Sequence, residues 1–211
     1  MRPAEETESG SARAEACLGY LVEHPAGILL FDTGMGSHPE VDAHYHPTRH
    51  DLRSALAHIG ARLKQVTHVT NCHLHFDHCG GNPSLADRPI FVQATELSTA
   101  RTTQDYTLPE LVESRRYEEL DGEAEILPGV SLVPIPGHTA GHQSLVVRRR
   151  DGNVIVAEQS HDTASGYSTD VLSWRHEHAQ SVPDTPEWIG VLQALDPKAV
   201  YFAHDRAIWE P

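Results

Sequence analysis

The sequence contains few cysteines, few basic residues and no long hydrophobic run. Its three cysteines, Cys17, Cys72 and Cys79, are an odd number in 211 residues, which argues against a disulfide framework and favours a reducing, cytoplasmic setting. No stretch of about 18 consecutive apolar residues occurs, so we expect no membrane span. Sixteen basic residues stand against 30 acidic ones, and the formal net charge of −14 argues against nucleic acid or an anionic membrane as a partner.

The length and composition favour one globular domain. A chain of 211 residues, 39% of them hydrophobic, is long enough to bury a sizeable core. The first residues are polar and acidic and lack the apolar core of a signal peptide. We therefore expect residues 1–15 to be disordered and residues 16–211 to form a single domain.

Histidine is the residue type in excess, and three of the 16 histidines fall within the six-residue segment HLHFDH that begins at His73. In an extended segment, residues two apart share a face, so His73, His75 and Asp77 are predicted to point the same way. His78 interrupts this alternation, and we expect the chain to turn at the glycines that follow it. Imidazole nitrogen and carboxylate oxygen suit zinc, iron, nickel or manganese. The segment therefore predicts a site for one ion and the beginning of a second.

Two simpler interpretations of this segment stand beside the metal site. In so histidine-rich a chain, some pairs of histidines fall close together by chance. A metal site therefore requires further ligands from other parts of the chain. Cys72 and Cys79 flank the segment and could be ligands, although the histidines already fill the expected positions and small packing residues are the simpler interpretation.

The hydrophobic pattern predicts strands alternating with helices. The segment Arg49–Ile59 has helical spacing, whereas Glu158–Val182 shows no clear periodicity. Strand patterns cover Cys17–Glu23, Gly27–Phe31, Gln65–Thr70, Val130–Ile135, Ser144–Arg149, Asn153–Ala157 and Lys198–Ala203. The candidate functional residues follow strands, which favours packed sheets with helices outside.

Four motifs occur in a fixed order along the chain: FDTG from Phe31, HLHFDH from His73, PGHTAGH from Pro136 and AHD from Ala203. Together they resemble the metallo-β-lactamase superfamily. The resemblance covers Cys17 to Asp205 and is strongest toward the N-acyl homoserine lactonase branch, through HLHFDHCGGN and VPIPGHTAGHQSL. It implies an α/β fold, a four-layer αββα sandwich with a metal site at one edge of its two sheets.

The resemblance also implies roles for particular residues. One ion would be bound by His73, His75 and His138, and a second by Asp77, His78 and His204. Asp32 would orient the site through hydrogen bonds without binding metal, and His142 would support the site without direct ligation. Zinc is the expected cofactor, as one or two ions, with iron, manganese or nickel as alternatives.

The main departure from the family pattern lies after the strand Asn153–Ala157. Relatives carry Ala-Gly-Asp there, and the aspartate bridges the two metals, whereas this chain places Gln159 at the bridging position. A neutral amide is a weaker ligand than a carboxylate, so the second site should be weakened most. Gln159 could bind through its carbonyl oxygen, Glu158, His161 or Asp162 could shift inward, or only one ion could bind tightly.

A second departure concerns the substrate. The lactonases place a tyrosine three residues after the bridging aspartate, and here that position is Asp162, with Tyr167 the nearest tyrosine downstream. These two residues are therefore the candidates for substrate contact.

The implied chemistry is hydrolysis of a lactone or other ester-like small molecule by a metal-bound hydroxide, with Asp77 as ligand and proton shuttle. A mononuclear iron oxidoreductase resembling the persulfide dioxygenases is the first alternative, and a metal-stabilised binding protein with weakened activity is the second. The sequence leaves the acyl-chain preference open, as well as the choice between monomer and homodimer.

Overall fold

The chain folds into two five-stranded sheets, and the computed structural model describes residues 1–7, 10–113, 116–177 and 185–211. The first sheet has the order β1-β2-β3-β4-β5, and the second has the order β10-β9-β8-β7-β6. The strands are β1 Tyr20–His24, β2 Gly27–Phe31, β3 His68–Thr70, β4 Ile90–Gln93, β5 Tyr117–Leu120, β6 Ala124–Leu127, β7 Val130–Pro134, β8 Gln143–Arg149, β9 Gly152–Val156 and β10 Pro197–Tyr201.

The first sheet is an antiparallel hairpin extended by parallel strands. β1 pairs antiparallel with β2, and β2, β3, β4 and β5 then pair in parallel. In the register of β2 and β3, Phe31 lies opposite Thr70. Parallel strands end at the same edge of a sheet, so Asp32 and Asn71, the residues that follow these strands, lie side by side.

The second sheet also combines antiparallel and parallel pairs, but most of its pairs are antiparallel. Strands β6 to β9 form an antiparallel meander, and β10 adds to β9 in parallel. Tyr201 lies opposite Val156 in that last pair. The residues that follow β9 and those that follow β10 therefore also meet at one edge.

The two sheets pack face to face through apolar side chains that point inward. Leu29 and Phe31 of β2 meet Leu132, Leu145 and Val156 of the second sheet in one buried cluster. Alternate residues of each strand supply this contact, as the period of two in a strand requires.

Helices cover the two outer faces. They are α1 Pro39–Tyr45, α2 Leu52–His58, α3 Phe76–Cys79, α4 Ala94–Thr102, α5 Pro109–Val112, α6 Ala164–Glu177 and α7 Glu187–Ala194. Leu56 of α2 and Leu97 of α4 are buried in a cluster with the outer face of the first sheet. Val171 of α6 and Ile189 of α7 are buried in a cluster with the second sheet. The layers are thus αββα, and the predicted sandwich is confirmed.

Helix α6 lies in the segment in which the sequence showed no clear periodicity. Its described buried side chains include Ala164, Tyr167 and Val171, which form a narrow stripe, while Leu172 is exposed on the other side. An aromatic residue and an alanine in that stripe, with an exposed leucine outside it, obscure the helical period. Among the described residues, no helix is long and apolar enough to cross a membrane.

Candidate metal centre

The candidate ligands converge at the edge where strands of both sheets end. His73 and His75 follow β3, and His204 follows β10. His138 lies in the loop between β7 and β8, and Gln159 lies in a single 3₁₀ turn, Glu158–Ser160, after β9. Both sheets thus contribute to one site, as the sandwich predicted.

Three imidazoles point their nitrogens at one another. His73 Nε2 lies 2.9 Å from His75 Nδ1, and His75 Nδ1 lies 3.2 Å from His138 Nε2. Two nitrogens that each lie 2.0–2.1 Å from a tetrahedral zinc ion are about 3.4 Å apart, so this spacing is close to that of a zinc ligand set. The structure brings together the three histidines that the resemblance implied for the first ion.

The protonation of these rings also suits a metal. Burial and the neighbouring imidazoles lower the pKa of His73 well below its usual range, and burial lowers the pKa of His75. Burial and the nearby His75 lower the pKa of His138 to about 4. At neutral pH the rings are therefore uncharged and present the lone pairs that a cation needs.

The backbone after His75 explains why the remaining residues of the segment face elsewhere. His75 is extended, and helix α3 begins at the next residue. Asp77 therefore leaves the face shared by His73 and His75, and the alternation predicted from an extended segment is wrong at that residue. The turn comes before His78, in the helix, and not at the glycines that follow.

Asp77 lies between the two histidines implied for the second ion. Its Oδ2 atom is 3.5 Å from His78 Nε2 and 3.8 Å from His204 Nε2. Burial alone would raise the pKa of Asp77, but the imidazoles of His78 and His204 outweigh it and lower that pKa. Asp77 is therefore a carboxylate at neutral pH.

Gln159 faces the same position through its carbonyl oxygen. The Oε1 atom lies 3.1 Å from His78 Nε2. Although burial lowers the pKa of His78, the carboxylates of Asp77 and Asp32 raise it to about 9. Because Asp32 engages the Nδ1 atom of His78, Nε2 is the ring nitrogen that faces the carbonyl oxygen of Gln159.

Asp32 holds His78 from behind. This residue is fully buried at the end of β2 with a φ of +60°. Its Oδ1 accepts from the Cys72 backbone N–H at 2.8 Å, and its Oδ2 lies 2.8 Å from His78 Nδ1. A carboxylate in this position fixes the tautomer and orientation of a metal-binding imidazole.

Glu158 does not face the side of His78 that would meet a metal. Its Oε2 lies 3.8 Å from His78 Nδ1, on the side occupied by Asp32. Both of its carboxylate oxygens are buried, and one lies within 4.8 Å of a carboxylate oxygen of Asp32. Burial and the charge of Asp32 raise the pKa of Glu158 well above its usual range. Glu158 therefore adds no carboxylate to the metal-facing side.

The other two residues considered as replacements for the bridging aspartate have partners elsewhere. His161 Nε2 lies 2.9 Å from a carboxylate oxygen of Asp170. Asp162 accepts from Arg2 at 3.1 Å and from Arg13 at 2.7 Å. Of the alternatives for the weakened second position, the geometry favours Gln159 through its carbonyl oxygen.

Tyr167 and His142 lie in buried surroundings. Tyr167 is fully buried between Phe202 and Trp209, and its hydroxyl accepts from Gln193 at 3.0 Å. The structure therefore does not bring Tyr167 to the candidate metal ligands, although the sequence made it a candidate for substrate contact. His142 is buried beside His73, with its Nδ1 atom 3.2 Å from the Ile135 carbonyl oxygen.

Glu96 is a buried residue of the site that the sequence did not single out. It accepts from the Leu74 backbone N–H at 2.8 Å, from the Tyr106 hydroxyl at 2.5 Å and from the Thr139 hydroxyl at 2.7 Å. Leu74 lies between two of the histidine ligands, and Thr139 follows His138. Glu96 thus ties the two ligand loops together, and no local pattern in α4 indicates this role.

Cys17 is a second residue that the sequence did not connect to the site. A thiol, a carboxylate oxygen and an imidazole nitrogen from Cys17, Asp77 and His204 all lie within 4.8 Å of one another. The flanking backbone is also bonded to the His204 loop, since His204 Nδ1 donates to the Ala16 carbonyl at 2.7 Å.

Comparisons with known proteins agree with this geometry. Residues 12–157 match the metallo-beta-lactamase superfamily. An N-acyl homoserine lactonase from a Bacillus species is 31% identical over 200 residues, which span 88% of this chain and 80% of the relative. An N-acyl homoserine lactonase from Bacillus cereus is 30% identical over the same shares of the two chains.

A solved structure gives the same relationship. It shows an N-acyl homoserine lactone hydrolase with the product N-hexanoyl-L-homoserine at its catalytic metal center, and it has a TM-score of 0.70 and 25% identity. The match covers 91% of this chain and 82% of that one. The fold, the convergent histidines and these relatives lead to one conclusion: the chain belongs to the metallo-beta-lactamase superfamily and is a hydrolase of that fold.

Proposed function

We propose that this hydrolase opens a lactone or a closely related ester with the help of zinc bound at the candidate metal centre. The observation that carries the proposal is the convergence of His73 Nε2, His75 Nδ1 and His138 Nε2 within 2.9 and 3.2 Å contacts. Three neutral imidazoles form a donor set that suits zinc, and the Asp77 carboxylate lies 3.5 Å from the neighbouring His78 Nε2. A divalent cation supplies two effects in such a site, polarising a carbonyl oxygen and lowering the pKa of a water molecule to about 7.

The protein's own residues would bind the ion, position its ligands and transfer the proton. The three histidines bind the ion, Glu96 holds the loops that carry them, and Asp32 holds His78, all through the hydrogen bonds described above. Asp77 is ionised at neutral pH, so its carboxylate can take a proton from the attacking water and deliver it to the leaving oxygen. This makes Asp77 the candidate catalytic acid–base.

Two considerations favour a lactone. The two Bacillus relatives described above, at 30 and 31% identity, are N-acyl homoserine lactonases, and a related structure holds the product N-hexanoyl-L-homoserine. In addition, the leaving group of a lactone is an alkoxide, which needs less protonation than the amine released from an amide. A site with one carboxylate for proton transfer is better suited to the ester bond.

The experiment is a substrate panel with metal-loaded protein. N-acyl homoserine lactones of several chain lengths, simple lactones, aryl esters, thioesters and phosphodiesters are each incubated with the protein, and proton release or product is measured. We expect the highest kcat/KM among the lactones. Absence of turnover of every substrate, with metal content confirmed, would overturn the proposal.

A matched pair of variants ties activity to the site. His75→Ala should lose bound metal and reduce kcat/KM by about 100-fold or more, because it removes the imidazole that contacts both other histidines. His58→Ala changes an exposed histidine on α2 and should leave metal content and activity unchanged.

A mononuclear iron oxidoreductase is the second candidate, and the amide at Gln159 is the observation that favours it. Without a bridging carboxylate, one ion held by His73, His75 and His138 would be the main occupant. Stoichiometric iron in the purified protein, with oxygen uptake in the presence of a persulfide, would favour this alternative. Two zinc ions per chain with lactone turnover would exclude it.

A further inference from the structure

We propose that Cys17 is a ligand of the second metal position, together with Asp77 and His204, and that its thiolate supplies a negative charge that the amide of Gln159 cannot. The inference rests on the metal-dependent hydrolase proposed above and extends it to a residue of the chain that precedes β1. It predicts a second position with sulfur, oxygen and nitrogen donors, a combination that suits zinc.

The geometry is that of a ligand set drawn from three distant parts of the chain. The ligand atoms of Cys17, Asp77 and His204 all lie within 4.8 Å of one another. The residue Cys17 lies at the surface, and its thiol is turned inward to within 4.8 Å of ligand atoms of the other two side chains.

The backbone on both sides of Cys17 is attached to the loop that carries His204. His204 Nδ1 donates to the Ala16 carbonyl at 2.7 Å, and the Leu18 N–H donates to the Ala203 carbonyl at 3.0 Å. Because Nδ1 is the donor to this carbonyl, Nε2 is the ring nitrogen that faces Asp77 Oδ2, at 3.8 Å. The same contacts therefore position the thiol and orient the imidazole, as the partners of metal-binding histidines commonly do.

The other two cysteines have different surroundings. Cys72 and Cys79 are buried. The Cys72 thiol donates to Asp32 Oδ2 at 3.0 Å, behind His78, and the Cys79 thiol donates to the Leu74 carbonyl at 3.4 Å. The three thiols can therefore be distinguished by their chemistry, since only Cys17 is both exposed and grouped with Asp77 and His204.

The charge balance gives the thiol its role. A dication at the second position meets one carboxylate, Asp77, and neutral donors from His78, His204 and Gln159. On binding, the Cys17 S–H bond breaks, a sulfur–metal bond forms and the proton passes to the buffer, with no change in oxidation state. The thiolate then contributes the second negative charge.

Cobalt(II) provides a direct test, because a thiolate bound to Co²⁺ produces charge-transfer absorption in the near ultraviolet and a carboxylate or imidazole does not. Metal-free protein is titrated with Co²⁺ under anaerobic conditions. We expect the absorption to appear with the second equivalent and to be absent in Cys17→Ser, whose second-site Kd should rise about tenfold or more while the first-site Kd is unchanged. Circular dichroism checks that the variant, altered at an exposed residue, keeps its fold.

A second measurement uses the unaltered protein. Burial and the charge of Asp77 raise the pKa of the Cys17 thiol, so its alkylation by iodoacetamide should be slow in metal-free protein and is followed over hours. Two equivalents of Zn²⁺ should slow it at least tenfold further, and His204→Ala should abolish this protection. The proposal is overturned by uptake of a single ion, by a second equivalent without thiolate absorption, or by absorption that persists in Cys17→Ser. Lactone turnover without the cobalt–thiolate absorption would contradict this inference alone. The absorption without turnover of any substrate would contradict the proposed function alone.

Discussion

Gln159 is one of the side chains on which the strength of the proposed second metal position depends. Its carbonyl oxygen lies 3.1 Å from His78 Nε2, so the amide is in place to act as a donor. An amide oxygen carries no charge, and the attraction between a carboxylate and a dication at short range far exceeds that of a dipole. Gln159 therefore leaves the position one negative charge short, and the Cys17 thiolate proposed above would supply that charge.

Replacement of this amide by a carboxylate should restore that charge. Gln159→Asp is expected to raise the occupancy of the second ion, with a Kd about tenfold lower or better, measured by metal analysis after dialysis against a weak chelator. In the Cys17→Ser background the same change should recover the lost affinity. An unchanged second-site Kd in the Gln159→Asp variant would contradict this account of the residue.

Glu158 combines two unfavourable features. Its φ of +50° lies in the left-handed region, and its fully buried carboxyl group lies beside the buried carboxylate of Asp32. Glycine removes the backbone penalty of about 1 kcal/mol and the buried carboxyl group together.

Glu158→Gly should therefore increase the free energy of unfolding of the metal-free protein by about 1–2 kcal/mol in urea denaturation. Because burial raises the pKa of Glu158, the folded state binds a proton that the unfolded state has released above its ordinary pKa of 4.5. The parent protein thus loses stability as the pH rises above that value, and the advantage of the variant should grow. Glu158→Ala, which keeps the backbone penalty, is the control. A less stable glycine variant would mean that the carboxyl group supports His78.

At the scale of elements, α4 connects the two loops that carry the first three ligands. Glu96 accepts hydrogen bonds from Leu74 and Thr139, which belong to different sheets' loops. Gly141 packs directly against Glu96, since a Cβ at that glycine would overlap the backbone and Cβ atoms of Glu96. The helix and the loop therefore approach as closely as their backbones permit.

Removal of this carboxylate should separate the loops. Glu96→Ala leaves the buried Leu74 N–H without its partner and should cost about 2–4 kcal/mol of stability, together with weaker binding of the first ion. Glu96→Gln keeps the acceptor oxygen and should lose less of both. Metal titration monitored by calorimetry gives the affinity, and an Ala variant with unchanged affinity would show that Glu96 serves stability alone.

The N-terminal segment is the second element with a connecting role. Arg2 and Arg13 both donate to the Asp162 carboxylate, and the backbones of these arginines pair with each other. The prediction that residues 1–15 are disordered remains a prediction, and these contacts supply the means to test it.

Asp162→Asn should release the segment. Since the ion pairs are partly exposed, the global loss of stability should stay below about 1 kcal/mol, but amide exchange in residues 1–7 and 10–16 should accelerate markedly. Burial opposes ionisation of Asp162, yet Arg2 and Arg13 outweigh it and lower its pKa. The contact is therefore present at neutral pH and is lost as the pH falls through that lowered value. Equally fast exchange in parent and variant would instead favour disorder.

At the scale of the whole molecule, the metal centre lies where the two sheets meet. His73 and His75 come from the first sheet, whereas His138 and His204 come from loops of the second. An ion bound to this set links the two halves of the sandwich and stabilises only the folded protein.

Chelation should therefore lower the thermal stability of the entire domain in one cooperative step. Protein treated with a strong chelator is expected to show a Tm several degrees lower, because each kcal/mol shifts the Tm of a domain of this size by about 2–4 °C. Calorimetry before and after readdition of Zn²⁺ measures the difference, and His75→Ala should show no response to the chelator. An unchanged Tm on chelation of the parent protein would argue against a linking ion.

Local patterns in the sequence predicted packed sheets with helices outside, and residues two apart after β3 placed His73 and His75 on one face. The αββα sandwich and the role of His138 were implied by the family resemblance, which four short motifs carry. Such features depend only on neighbours along the chain, so they can be read without the tertiary structure.

The other features of the candidate site, and one helix, were decided only by the tertiary structure. Asp77 does not share a face with His73 and His75, because helix α3 begins at Phe76. Helix α6 could not be predicted from the hydrophobic pattern, because its buried stripe is narrow. Glu96 and Cys17 belong to the candidate site through contacts with residues far away in sequence. Glu158 lies on the Nδ1 side of His78, because its backbone after β9 is in the left-handed conformation. Contacts between distant segments arise from the packing of two sheets against each other, and no local period in the chain records them.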